Sequence, residues 1–383
     1  MKKILGILLV VLLVSSLIMG CSSQGTSSED EDVIKIGVFE PLTGANAAGG
    51  AMEVEGIELA NEMFPEVLGK KVVLEIADNK SEKVEAANAA TYLVDNANVV
   101  AIIGSWGSSL SMAAGPVAEE NQIPIVAPSA TNPMVTQGND WYFRVCFIDP
   151  FQGKVMANYA YNEVGAKTAA IVREISNDYS VGLASFFVNS FKELTGDDNA
   201  ILEIVDYNTG DTDFTAQLTS IKEKNPDVIF APGNYTESAL LAKQARELGI
   251  NVPILGGDTW ETPEFIDIGK EAVEGAVLST FFTTEVPITP MSGTFLEAYQ
   301  EKYNKEPAAV TALGFDAYLV ILKAIERAGS TDPVVIRDEI AKTSGFEGAA
   351  GIVTLDENGD ATKNAIIKEV KDGKFVYLTT VEP

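Results

Sequence analysis

No histidine occurs anywhere in the 383 residues. Its absence removes Ser-His-Asp and Cys-His nucleophile systems and every imidazole metal site. A Walker P-loop and a GxGxxG loop are missing as well, and with them the common phosphate cradles. Neither a catalytic site, a cofactor nor a metal is therefore expected. Cysteine is scarce, with only Cys21 and Cys146. Basic residues are few, 27 against 55 acidic ones for a net charge of -28. So acidic a surface argues against nucleic acid or anionic lipid as a partner. The apolar run from Ile4 to Val14, broken by Gly6, falls short of the ~20 residues that a spanning helix needs.

What is present begins with a leader. Lys2 and Lys3 precede that short apolar run, the build of a secretory signal. It ends Leu17-Ile18-Met19-Gly20-Cys21, which resembles a bacterial lipobox whose cysteine receives the lipid. Residues 1–20 are expected to be a lipoprotein signal peptide, with Cys21 lipidated. Residues 21–32, polar and rich in serine and acid, are expected to be a disordered tether. The protein would then stand on the extracytoplasmic face of the cell membrane, touching it through the lipid alone. With Cys21 modified, Cys146 has no disulfide partner and is expected to be a buried, inert thiol. About 350 residues remain, enough for two domains.

The mature region alternates between two periodicities. Short β-branched runs recur at 33–39, 71–76, 99–103, 123–126, 169–172, 201–205 and 228–230. Helical patterns lie between them, at 52–64, 83–94, 181–194, 214–224 and 236–248. Alternation with nearly continuous apolar strands predicts parallel α/β sheets covered on both faces. Ligands of such sheets gather at the carboxyl ends of the strands. The loops there are small and polar in the first part of the chain: Pro41 to Gly50, Gly104 to Ser109, and Pro128 to Thr131. Each precedes a helix start and can aim backbone N–H groups and a hydroxyl at an anion. Later loops, Glu174 to Tyr179, Ala231 to Tyr235 and Leu255 to Trp260, offer carboxylates and aromatics. Hydroxyls with helix N-termini on one side, and a carboxylate with aromatics on the other, match the two ends of a zwitterion.

These segments resemble a known family, the type I periplasmic solute-binding proteins of the leucine/isoleucine/valine-binding group. The likeness runs through Ile34-Lys35-Ile36-Gly37-Val38 with Pro41-Leu42-Thr43-Gly44, and through Ile123 to Thr131. It continues at Thr212-Asp213-Phe214, Asn225 to Ile229, Gly314 to Tyr318 and Phe346 to Gly351. The resemblance implies two Rossmann-like lobes joined by three crossover segments, near Cys146, Thr280 and Asp356, with the ligand in the interlobe cleft. One lobe would be 33–146 plus 281–356, the other 147–280 plus 357–383. It implies a monomer that captures an amino acid, branched-chain or otherwise small and apolar, and delivers it to the permease subunits of an ABC importer.

By position, Ser108 and the Ser129/Thr131 pair, with Ala130 between them, resemble carboxylate ligands. Asp258 resembles the acid that meets the ammonium group, and Tyr179 an aromatic from the second lobe. Asn234 falls where some relatives place a tyrosine, with Tyr235 one residue late. Trp106 stands where branched-chain binders carry a smaller apolar residue, and Gly49 where some carry an aromatic.

Plainer readings stand beside these. Ser108 could cap the helix that follows, and Asp258 could be a solvated turn residue. Asp356 to Asp360 lacks the spacing of an EF-hand, and its Asn358-Gly359 reads as a hairpin turn. The alternative functions are a sensor module with the same fold, or a binder of another small carboxylate or amide.

Overall fold

A computed structural model describes residues 33–383. The leader 1–20, the tether 21–32 and Cys21 lie outside the described residues. The apolar runs form two sheets. The first is built from β1 (Val33–Glu40), β2 (Glu66–Val67), β3 (Lys70–Asp78), β4 (Ala101–Ile103), β5 (Ile125–Ala127) and β6 (Tyr142–Arg144). Its order is β2-β3-β1-β4-β5-β6, and the pairs β1/β4, β4/β5 and β5/β6 are parallel. The second begins with β7 (Ala169–Glu174), β8 (Ile201–Tyr207), β9 (Val228–Phe230), β10 (Ile254–Gly256) and β11 (Val277–Thr280). After a small hairpin of β12 (Phe346–Gly348) and β13 (Gly351–Val353), it is completed by β14 (Ala365–Lys371) and β15 (Lys374–Val381). Its order is β15-β14-β11-β10-β9-β7-β8, parallel from β11 to β8 and antiparallel at β14 and β15. The central strands β4, β5, β9 and β10 are buried along their whole length because helices cover both faces.

After β6 the chain builds the second sheet as far as β11. It then runs through the helices Pro290–Tyr303 and Ala309–Ala328 before entering β14. The helix Ala309–Ala328 packs on β4, β5 and the helix Ala47–Met63, so a late segment completes the layer over the first sheet. Two glycines permit that contact. A Cβ on Gly56 would lie 1.9 Å from the Thr311 carbonyl oxygen, and one on Gly314 would lie 2.3 Å from that of Glu53. The backbones therefore touch, and Glu53 is driven into the interior, fully buried.

β6 ends on the buried Arg144. Its guanidinium donates to the carbonyls of Ala130 (2.6 Å) and Asn132 (2.9 Å) and to the Thr136 hydroxyl (2.7 Å). It also lies 2.6 Å from Asp360. A buried cation needs this degree of pairing, and the pairing fixes the shape of the 129–132 loop. Asp360 follows the turn at Asn358-Gly359, where the Gly359 N–H donates to Asp356 O (3.1 Å) and Leu355 bridges Ala361. Cys146 is a free, buried thiol whose pKa burial pushes up. Among the described residues, no helix is long and apolar enough to cross a membrane.

Candidate functional site

In each sheet the strand order reverses once. The first reverses between β1 and β4, the second between β7 and β9. Loops that leave neighbouring strands in opposite directions open a crevice at such a point, outside the carboxyl ends. The two crevices face each other here. A cavity of about 330 Å³ between them is lined by Asn46 and Trp106 to Leu110 from the first lobe, and by Glu174, Ser176, Asn177 and Asn234 from the second.

Ser108, Ser129, Trp106, Tyr179, Asn234 and Asp258 all line this one cavity. Ser108 opens the helix Ser108–Asn121, whose capping residue is Gly107, with no side-chain cap. The Ser108 hydroxyl instead accepts the Asn132 N–H at 3.1 Å. That bond occupies a lone pair and leaves the hydroxyl hydrogen as a donor. Beside it are the first N–H groups of the helix, which have no partner within it. Trp106 rests on Gly49, where an added Cβ would meet the indole at 2.3 Å. The small residue and the large one are therefore a single exchange of volume across the cavity wall.

Asp258 begins a short 3-10 turn, Asp258–Trp260, after β10. Its Oδ1 accepts from Gln152 Nε2 (2.7 Å) and from the Tyr179 hydroxyl (2.9 Å). Burial pushes its pKa up to about 6, against the pull of those two donors, and Glu261 pushes the same way. A solvated turn residue would show none of this; Asp258 is only 4% exposed. Asn234 caps the helix Tyr235–Glu247 by position, and its N–H donates to Glu174 Oε2 at 3.1 Å. Its side chain donates across the cleft to Asn46 Oδ1 at 3.0 Å.

Ala130, Thr131 and Tyr235 stand behind the wall. The Ala130 carbonyl is held by Arg144, and Thr131 is fully buried beside Asp149. Burial pushes the Asp149 carboxyl up to about 8 against the pull of the Thr131 hydroxyl, although neither makes a hydrogen bond of standard geometry. Tyr235 donates its hydroxyl to Ala45 O (2.8 Å), accepts the Ala48 N–H (3.3 Å) and sets its ring edge-on to Trp106.

Sequence reasoning missed Asn46, Glu174, Gln152 and the buried acids Glu40 and Glu53. Asn46 and Glu174 lay in loops already singled out. Gln152 and Glu53 sit on helices, where a lone polar residue gives no sign that it faces inward.

A second set of contacts ties the lobes at the rim. The Asp178 carboxylate meets Lys83 Nζ (2.7 Å) and accepts from the Ser109 hydroxyl (2.8 Å), while the Asp178 N–H donates to Ser109 Oγ (2.9 Å). Asn132 Nδ2 donates to the Asp178 carbonyl at 2.9 Å. Among the described residues, no group of three or more acids or cysteines could hold a metal ion.

Two switch-point crevices closing on one cavity define a bilobed α/β binding protein of the type I class. Residues 33–374 match the family model described as a periplasmic binding protein, and the chain belongs to that family. A Leu/Ile/Val-binding protein homologue of Brucella melitensis is 32% identical over 356 residues, 90% of this chain and 93% of the relative. Among solved structures, a leucine binding protein, LivK, of Thermotoga maritima is 48% identical with a TM-score of 0.89, over 91% of this chain and 99% of that one. The branched-chain amino acid transporter substrate binding protein LivJ of Streptococcus pneumoniae, solved with isoleucine, is 34% identical. Its TM-score is 0.86, over 92% of this chain and all of the other.

Proposed function

We propose that this chain captures an aliphatic amino acid outside the cytoplasm and delivers it to the membrane-spanning subunits of an ABC importer. The observation that carries this reading is the arrangement of unlike groups across one cavity. On one side are the Ser108 hydroxyl and the N-terminus of its helix, both donors to a carboxylate. On the other is the buried Asp258 carboxylate, the partner an ammonium group needs when it leaves water. Relatives named for leucine, isoleucine and valine support the aliphatic side chain. Trp106 over Gly49 supplies an apolar wall for it.

The sheet memberships support lobes of 33–146 with 281–356 and 147–280 with 357–383. The leader and Cys21 support a lipid anchor that holds the protein at the membrane. A thermal-shift screen of residues 33–383 against amino acids, amides and small carboxylates tests the reading. Ligand at a hundredfold over Kd adds about 2.7 kcal/mol to native stability. Stabilisation by leucine, isoleucine or valine is the expected result. Stabilisation by carboxylates alone would exclude it.

A further inference from the structure

Directly behind Ser129 lie two buried acids that no ligand contact explains. Glu40 ends β1 and Glu53 stands on the helix Ala47–Met63; both are fully buried. The two carboxyls are close enough for each to shift the other's pKa. Glu40 Oε2 accepts the Trp106 N–H at 2.6 Å and lies 3.4 Å from the Ser105 hydroxyl. Glu53 Oε1 accepts the Ser129 hydroxyl in a short bond. The remaining oxygens, Glu40 Oε1 and Glu53 Oε2, have no hydrogen-bond partner among the described residues.

Two touching carboxylates in a dry interior do not both ionise. A proton on Glu53 Oε2, turned toward Glu40, leaves Glu53 Oε1 to accept from Ser129, while Glu40 Oε2 keeps its backbone donor. Burial raises both groups, Glu40 to about 8, and Glu53 is raised further by the charges of Glu40 and Asp258. Ser129 and Asp258 line the same cavity.

The consequence falls on Ser129. A hydroxyl has one hydrogen and two lone pairs. The hydrogen of Ser129 is committed to Glu53, so the oxygen can only accept from the cavity. Ser108 is the reverse, with a lone pair committed to Asn132 and a hydrogen left to give. Two serines on one wall thus present opposite polarity.

We propose that the Glu40–Glu53 pair, by holding the Ser129 hydroxyl hydrogen, makes Ser129 an acceptor for the ligand's ammonium group and Glu53 a positioning residue that sets selectivity for amines. This rests on the amino-acid reading above. It moves Ser129 from the carboxylate end of the ligand, where its sequence position puts it, to the ammonium end.

Calorimetry with L-leucine and 4-methylpentanoate, which lacks only the amine, tests this. The quantity read is the ratio of the two affinities. Ser129→Ala should weaken leucine about tenfold to a hundredfold, the worth of a hydrogen bond to a charged group, and leave 4-methylpentanoate nearly unchanged. Glu53→Leu frees the Ser129 hydrogen to turn toward a carboxylate, so the ratio should fall by a similar factor. Glu53→Gln, whose amide can donate to Glu40 and accept from Ser129 as the protonated acid does, should restore it. Equal weakening of both ligands by Ser129→Ala would overturn the proposal, as would an unchanged ratio in that variant. These outcomes do not depend on Glu53→Leu folding. Failure of the wild type to bind any amino acid would instead remove the functional reading, and this inference with it.

Discussion

Asp258 is where charge and burial meet most directly. Its carboxyl is raised to about 6 by burial, Gln152 and Tyr179 donate to it, and its charge is felt by Glu53 and Asp149. An ammonium group binds the ionised form, so protonation competes with ligand. Affinity should be flat above pH 7 and weaken below about 6, by up to tenfold per pH unit. Asp258→Asn should abolish that slope, which calorimetry across pH 4.5–8 would show. Persistence of the same slope in the variant would assign the proton elsewhere. Gly49 and Trp106 form the second residue-level unit. Gly49→Ala should displace the indole and weaken leucine binding about tenfold, in the range of an overpacked contact. Adding Trp106→Leu should recover most of the loss, and a double-mutant cycle measures the coupling. Additive losses would mean that the two positions do not share the wall.

At the scale of elements, three helix starts make the rim: Lys83–Asp95, Ser108–Asn121 and Asp178–Thr195. Their ends converge because each follows a strand on the same edge of its sheet. Asp178 bridges them through Lys83 and Ser109, half-exposed, so each bond adds little in water. Asp178→Ala should raise the ligand off-rate about three- to tenfold with little change in on-rate, read by stopped-flow tryptophan fluorescence. An unchanged off-rate would mean that the rim does not hold the closed lobes.

Elements with a clear period were legible in the sequence. The strand at 228–230 and the helix starting at Lys83 match their expected limits. The helix expected from Met52 begins at Ala47, because Ala47-Ala48-Gly49-Gly50 carries no apolar stripe. Tyr179 was legible only as an aromatic at a loop end; its bond to Asp258 is a long-range contact that no local pattern encodes. Glu40 reads in sequence as a polar strand terminus, and its burial comes from the Trp106 loop folding over it.

The molecule as a whole concentrates raised acids in its interior. Glu40 and Asp149 stand at about 8, and Asp258 and Asp316 at about 6, all by burial. Each binds its proton more tightly folded than unfolded, so between about pH 4 and 8 the native state holds more protons and stability falls as pH rises. Lys363, lowered by burial, works in the opposite sense but is one group against several. The ligand-free protein should therefore melt at a higher temperature at pH 6 than at pH 8.5, as calorimetric scans would show. A rising Tm over that interval would mean that the buried acids are ionised in the folded state. Breaking a buried charged pair costs roughly 2–5 kcal/mol, about 30-fold to several thousandfold in Kd. The most direct test of the zwitterion reading is calorimetry on wild type and Asp258→Asn with L-leucine and 4-methylpentanoate. The account predicts a loss of that size for leucine and a much smaller one for the deaminated acid. Equal weakening of both would contradict it.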